Sequence, residues 1–224
     1  SPLDPPQDLQ AGLQAERDQR LLKAATEELK RRQLFFGIRY FTPNRPQLKA
    51  LQSPARIIAY VGGNRGGKST AGAAFISAHL AKFYPSCKCH GEWFSETKRF
   101  DRPLKALIVA TSFQKIEEVI EPKLMSLLPK ELIKSVKRGG MNYLRGVKLK
   151  DGGQITCLSG DQDEMEFESA DWDIAWIDEP MSQGRFNAVM RGLLDRNGLM
   201  ILTFTPKIEP WMKETFLDNA DGKF

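Results

Sequence analysis

Apolar positions along this chain come in two textures, and their alternation predicts an architecture. Continuous apolar runs of strand length occur at 57–61 (Ile-Ile-Ala-Tyr-Val), 104–111, 173–178 (Asp-Ile-Ala-Trp-Ile-Asp) and 199–204 (Leu-Met-Ile-Leu-Thr-Phe). Runs this short, with little polar alternation, belong to strands covered on both faces. Helix-prone stretches lie between them at 69–82, 113–128 (stopped by Pro129) and 184–195. Strands alternating with helices predict an α/β fold: a mostly parallel central sheet with right-handed crossovers, flanked by helices. Functional groups then belong at the C-terminal strand ends. Residues 147–150 and 154–158, joined by Asp151-Gly152-Gly153, predict a β-hairpin.

The flanks differ in texture. Residues 1–12 are rich in Pro and Gln and read as extended. Residues 13–33 read as a charged helix in which Leu22, Ala25 and Leu29 share a face. Glu16/Arg20, Glu27/Arg31 and Glu28/Arg32 form i, i+4 pairs there. Such an arm suits packing on the core or on another subunit, and the pattern does not choose. Residues 35–52 read as a turn-rich connector whose aromatics (Phe35, Phe36, Tyr40, Phe41) pack on the domain edge, and 83–103 as an irregular insertion. The expected organisation is an arm at 1–34, an α/β domain at 35–208 and the start of a linker at 209–224, with a helix over 209–217.

The first strand runs into Gly62-Gly63-Asn64-Arg65-Gly66-Gly67-Lys68-Ser69-Thr70, a complete G-x-x-x-x-G-K-S phosphate loop between strand and helix. Its glycines allow backbone N–H groups to converge on phosphate oxygens at a helix N-terminus that favours anions. Lys68 then reaches the outer phosphates and Ser69 ligates Mg²⁺; the loop predicts binding of a nucleoside triphosphate such as ATP. Arg65 can meet phosphate charge within the same subunit.

Binding alone is not hydrolysis, which also needs a metal carboxylate and a group that activates water. The strand ending in Asp178-Glu179, 110 residues after Lys68, offers both: Asp178 for Mg²⁺, Glu179 for the attacking water. A third apolar strand ends in Thr203-Phe204-Thr205-Pro206. Either threonine can hydrogen-bond the water or the phosphate, and strand alternation points both the same way.

Composition narrows the field. The chain has 224 residues, 41% hydrophobic and 27% charged, and no run approaches a membrane span. Three cysteines argue against a disulfide framework. Cys87-Lys88-Cys89-His90 offers two thiols and an imidazole that suggest zinc, against which stand the tight C-x-C spacing and the lack of a second ligand pair nearby; the sequence does not decide. The net charge of +5 is uneven: 130–150 carries seven Lys or Arg, and 161–179 nine acids without a base. The basic segment suits a phosphate backbone, a neighbouring subunit's nucleotide, or a solvated hairpin. Its Arg138 and Arg145 are candidates for an arginine donated across an interface.

Four stretches together resemble the ATPase domain of the large terminase subunit of tailed bacteriophages, over about residues 40–210. They are Phe41 through Gln47, Gly62 through Thr70, Glu168 through Glu179, and Thr203 through Pro206. The resemblance implies a P-loop NTPase of the additional-strand, catalytic-glutamate type, with Gln47 contacting adenine and the threonines coupling hydrolysis to movement. It further implies Mg²⁺-dependent ATP hydrolysis that drives double-stranded DNA into a procapsid. Subunits would form a ring, with a portal protein and a small terminase subunit as partners, in the host bacterial cytoplasm. The family also carries a C-terminal nuclease domain; with Phe224 as the last residue, no nuclease activity is expected of this chain.

Two other classes share the loop and the paired carboxylates. One is a helicase or recombination-type ATPase, which in its two-domain form needs a second arginine-bearing lobe. The other is an ATP-gated assembly protein with negligible turnover, for which Glu179 would have no use.

Overall fold

The computed structural model describes residues 7–88, 91–168, 171–205 and 209–218. Helix α1 (Gln7–Phe36) leads through a 3-10 turn, Gly37–Tyr40, into α2 (Arg45–Leu51). Strand β1 (Ile57–Val61) and α3 (Lys68–Leu80) flank the phosphate loop. A small antiparallel pair, β2 (Ser86–Cys87) and β3 (Gly91–Glu92), precedes β4 (Lys105–Ala110). Next come α4 (Phe113–Lys115), a π-helical segment (Ile116–Ile120) and α5 (Glu121–Leu127). The rest is β5 (Ile133–Arg138), β6 (Leu144–Leu149), β7 (Gln154–Ser159), α6 (Met165–Glu168), β8 (Ile174–Asp178), α7 (Gln183–Leu194), β9 (Leu199–Phe204) and α8 (Pro210–Lys213).

Seven strands form one sheet in the order β1-β9-β8-β4-β7-β6-β5. The first five are mutually parallel, and β6 and β5 extend the sheet antiparallel. The predicted parallel sheet is therefore present, and its order has one consequence for chemistry. Strand β9, late in the chain, inserts between the loop strand β1 and the carboxylate strand β8. This is the additional-strand arrangement of P-loop NTPases.

Alternation sorts the central strands onto two cores. Ala106, Ile108, Ile174, Trp176, Leu199 and Ile201 face one side with Phe75 and Ile76 of α3, Leu124 of α5 and Trp93 and Phe94. Leu107, Val109, Ala175, Ile177, Met200 and Leu202 face the other with Phe186 and Val189 of α7 and Phe167 of α6. The 83–103 segment, read as irregular, holds the short β2–β3 pair, and its Trp93 and Phe94 are buried core residues, so it covers the sheet rather than looping away from it. Of its Cys-Lys-Cys-His stretch, Cys89 and His90 lie outside the described residues.

Other readings need correction. The connector at 35–52 contains α2, capped by Asn44 with Pro46 in its first turn; the two prolines that looked like turn signals frame a helix start. Of its aromatics, Phe41 packs on the core, while Phe35 and Tyr40 stay exposed. Strand β5 went unpredicted because an edge strand bearing Lys134, Lys137 and Arg138 lacks an apolar signature. Helix α1 is longer than predicted, and Leu22 and Leu29 on its apolar face are 69% and 48% exposed. The Glu28–Arg32 and Glu16–Arg20 pairs form, whereas Arg31 turns to Glu28 instead of Glu27.

Asp173 anchors the start of β8. Its buried carboxylate accepts from Arg102 (2.6 Å), Arg196 (2.8 Å) and the Lys105 N–H (2.7 Å), tying β8 to β4 and to the turn after α7. Burial alone would raise its pKa, but these donors outweigh it and hold the group below the ordinary carboxylate range. Its stabilising effect is therefore complete above the unfolded pKa and lost as pH falls through the folded one. Asp173→Asn is expected to destabilise the fold by about 3 kcal/mol at neutral pH. That corresponds to a melting midpoint lower by roughly 5–10 °C. In thermal unfolding across pH, the difference from wild type should shrink as pH drops through the acid range.

Candidate functional site

The phosphate loop is braced against the sheet and by its own backbone. The Gly62 N–H donates to the Phe204 carbonyl of β9 (3.2 Å), and the Tyr60 hydroxyl donates to the Gly66 carbonyl (3.0 Å). Gly67 caps α3 in the left-handed region (φ +75°), where a Cβ would also meet the Gln47 amide nitrogen at 2.6 Å. Glycine avoids the backbone strain of that region and leaves the Gln47 amide in place. Lys68 is nearly buried, its Nζ donating across the loop to the Gly63 carbonyl (2.8 Å). Gly63, Asn64, Arg65 and Gly66 form the exposed crest, with Arg65 itself left-handed (φ +64°). Ser69 and Thr70 sit half-buried in the first turn of α3.

Gln47 does something the sequence did not foresee. Its Oε1 accepts from the Asn44 N–H (2.9 Å) and its own N–H donates to Asn44 Oδ1 (3.0 Å), closing a capping box on α2. Its Nε2 donates to the Gly67 carbonyl (3.0 Å). This 5%-exposed side chain thus braces α2 against the loop.

Across the sheet, Asp178 closes β8 and is almost fully buried. The Thr203 hydroxyl donates to its Oδ1 (2.7 Å), and the Ser69 hydroxyl is a second partner. Burial, with a smaller contribution from the Glu179 charge, raises the Asp178 pKa; the hydrogen bonds from Thr203 and Ser69 and the charge of Lys115 oppose this. Glu179 follows in the left-handed region (φ +73°), an unusual conformation for a residue with a Cβ. It is held by its N–H to the Thr203 carbonyl (2.8 Å) and by its Oε2, which accepts from the Thr205 hydroxyl (3.1 Å) and N–H (3.3 Å). The backbone turn between Asp178 and Glu179 aims the adjacent carboxylates differently.

Alternation, which pointed both threonines the same way and gave no choice between them, does not govern this pair. Alternation holds only inside a strand, and β9 ends at Phe204. Thr203 lies within the sheet and serves Asp178; Thr205 lies beyond its end and serves Glu179. Pro206 lies outside the described residues.

The donor set suits Mg²⁺. It offers one hydroxyl and one carboxylate already in hydrogen-bond contact, and among the described residues no Lys or Arg is hydrogen-bonded to the buried carboxylate. Mg²⁺ takes one or two protein oxygens and fills its shell with water and phosphate. Among the described residues no cluster of three or more His, Cys, Asp or Glu is present.

The basic segment is remote from the loop. Arg138, on the opposite sheet edge from β1, pairs with Glu121 (2.5 Å), and the Arg145 guanidinium lies over the Phe113 ring at 5.2 Å. Asn44 and Tyr60 belong to the loop's scaffold and were not singled out from the sequence. The Asn-x-x-Gln spacing of a capping box was the available signal for the first.

Residues 59–223 match the family described as terminase large subunit, T4likevirus-type, N-terminal. No curated protein sequence matches the chain. In structure, it is similar to the large terminase of a thermophilic bacteriophage, with a TM-score of 0.56 and 14% identity over 79% of this chain and 43% of that one. The same phage protein in complex with ADP gives a TM-score of 0.55 and 16% identity over 81% and 43%. The chain thus spans less than half the length of these structures.

Proposed function

The chain belongs to the terminase large subunit family of T4-like type, and on that premise we propose that it is the ATP-hydrolysing motor domain of a DNA-packaging machine. The observation that carries this reading is the pair of carboxylates at the end of β8, each held by its own threonine, across β9 from the phosphate loop. The ADP held by the thermophilic phage protein supports a nucleotide at the corresponding loop.

In this reading the loop N–H groups and Lys68 cradle the phosphates, and Arg65 on the crest meets charge that develops on them. Ser69 and Asp178 would hold Mg²⁺, which when bound neutralises phosphate charge and orients the triphosphate. Glu179 accepts a proton from the attacking water. Thr205, bonded to Glu179 and leading into the following segment, is placed to transmit a change at that carboxylate. Gln47 donates to the Gly67 carbonyl, so an adenine contact would share its amide with the loop.

Residues 35–208 form the motor domain in this proposal, 1–34 its arm and 209–224 the start of a linker. Double-stranded DNA is the translocated partner, held through its phosphates. A ring of copies acts with a portal and a small terminase subunit in the host cytoplasm. No described helix is long and apolar enough to cross a membrane.

The test is phosphate release from ATP. Turnover is expected to require Mg²⁺, to vanish with EDTA and to rise per subunit with protein concentration as copies associate. Any DNA affinity should fall steeply with salt. Tight ATP binding without Mg²⁺-dependent turnover at any concentration, with or without duplex DNA, would instead support a structural nucleotide site.

A further inference from the structure

We propose that Trp176 is a positioning residue for Asp178, acting through the Thr203 hydroxyl. The inference rests on the reading of Asp178 as a metal carboxylate. Trp176 and Asp178 are two apart on β8 and so face the same side of the sheet, toward α3. Register places Thr203 of β9 directly beside Asp178. The Trp176 indole N–H donates to Thr203 Oγ1 at 2.8 Å, and Thr203 Oγ1 lies 2.7 Å from Asp178 Oδ1.

The donor inventory gives this chain a direction. An indole nitrogen can only donate, whereas a hydroxyl owns one proton and can accept as well. With the indole donating to its oxygen, Thr203 has its proton left for a second partner. The choices are Asp178 Oδ1 at 2.7 Å and the Ile177 carbonyl at 3.5 Å. The indole thus helps to hold the hydroxyl in the orientation that donates to the carboxylate. Without it, the hydroxyl is free to rotate toward the carbonyl or to accept from another group. Trp176 and Thr203 are fully buried, so water does not readily replace the missing donor.

A second contact ties this relay to the phosphate loop. Gly72 lies one turn past Lys68 on α3, and a Cβ built there would fall 2.1 Å from Trp176 Cε2 and 2.2 Å from its Nε1. The α3 backbone therefore rests on the indole edge that carries the N–H. The helix that presents Lys68 and Ser69 and the group that orients Asp178 are packed as one unit. A displacement of α3 must move the indole, and with it the hydroxyl on Asp178.

The decisive experiment replaces Trp176 by 3-benzothienylalanine, which keeps the bicyclic shape and lacks the N–H. Mn²⁺ binding in the presence of ADP, read by electron paramagnetic resonance, is compared with the nucleotide-free melting midpoint. Mn²⁺ affinity is expected to weaken about tenfold, the scale of losses when a partner of a metal ligand is removed, with little change in melting. Thr203→Val should weaken it similarly and Thr203→Ser should retain it. The analogue combined with Thr203→Val should be no weaker than Thr203→Val alone, because both act through one path. Wild-type Mn²⁺ affinity in the analogue, alongside a loss in Thr203→Val, would overturn the role of the indole. An Asp178→Asn variant that binds Mn²⁺ like wild type would overturn the metal reading itself, and the proposal with it.

Discussion

Glu179→Gln is expected to lower ATP turnover by about 10²–10⁴-fold, the usual contribution of a positioned general base. Nucleotide affinity should stay within about threefold of wild type, because the substitution removes an interaction used only in reaching the transition state. The structure favours this clean separation. Glutamine keeps the length of the side chain, and its carbonyl oxygen can still accept from the Thr205 hydroxyl and N–H. The left-handed backbone at 179 carries a Cβ in either case, so the turn that separates it from Asp178 is preserved. Single-turnover phosphate release and a parallel nucleotide titration measure the two quantities. Turnover within about tenfold of wild type would remove Glu179 from the role of base.

Lys68→Ala is expected to fail at the earlier step, weakening ATP binding by about 10–100-fold. That is the loss of about one charge-assisted hydrogen bond, roughly 1.5–3 kcal/mol. Lys68 is nearly buried, and its ammonium bridges the loop to Gly63. Alanine removes both that bridge and the charge that would meet the outer phosphates. The braces from Gln47, Tyr60 and Phe204 remain, so the loop's backbone should keep its course and the fold its melting midpoint. Titration with a fluorescent ATP analogue reads the effect. An unchanged dissociation constant would mean that the triphosphate lies elsewhere.

The two variants differ in how openly the chain displays the residue concerned. Lys68 is visible because a phosphate loop is a local object: glycines that permit its backbone, a strand before it and a helix after it all lie within about twenty residues. The carboxylates at the end of β8 are visible for a similar reason, an apolar strand ending in acids. Strand β5 was hidden because an edge strand with one solvated side needs no apolar run. Helix α2 was hidden because Pro43 and Pro46 read as breaks, although Asn44 and Gln47 are spaced as a capping box.

By itself, the amino-acid order determined the alternating strands and helices, the phosphate loop, and the strand that ends in Asp178 and Glu179. These follow from periodicity and backbone permissiveness, both short-range. Only the tertiary structure decided which groups meet. Strand alternation assigns a side chain to a face but says nothing of its neighbour, which depends on strand order. By inserting β9 between β1 and β8, the fold set Thr203 beside Asp178, placed Thr205 on Glu179 and tied Phe204 to the start of the loop. Two threonines that read as equivalent in sequence thereby came to hold different carboxylates.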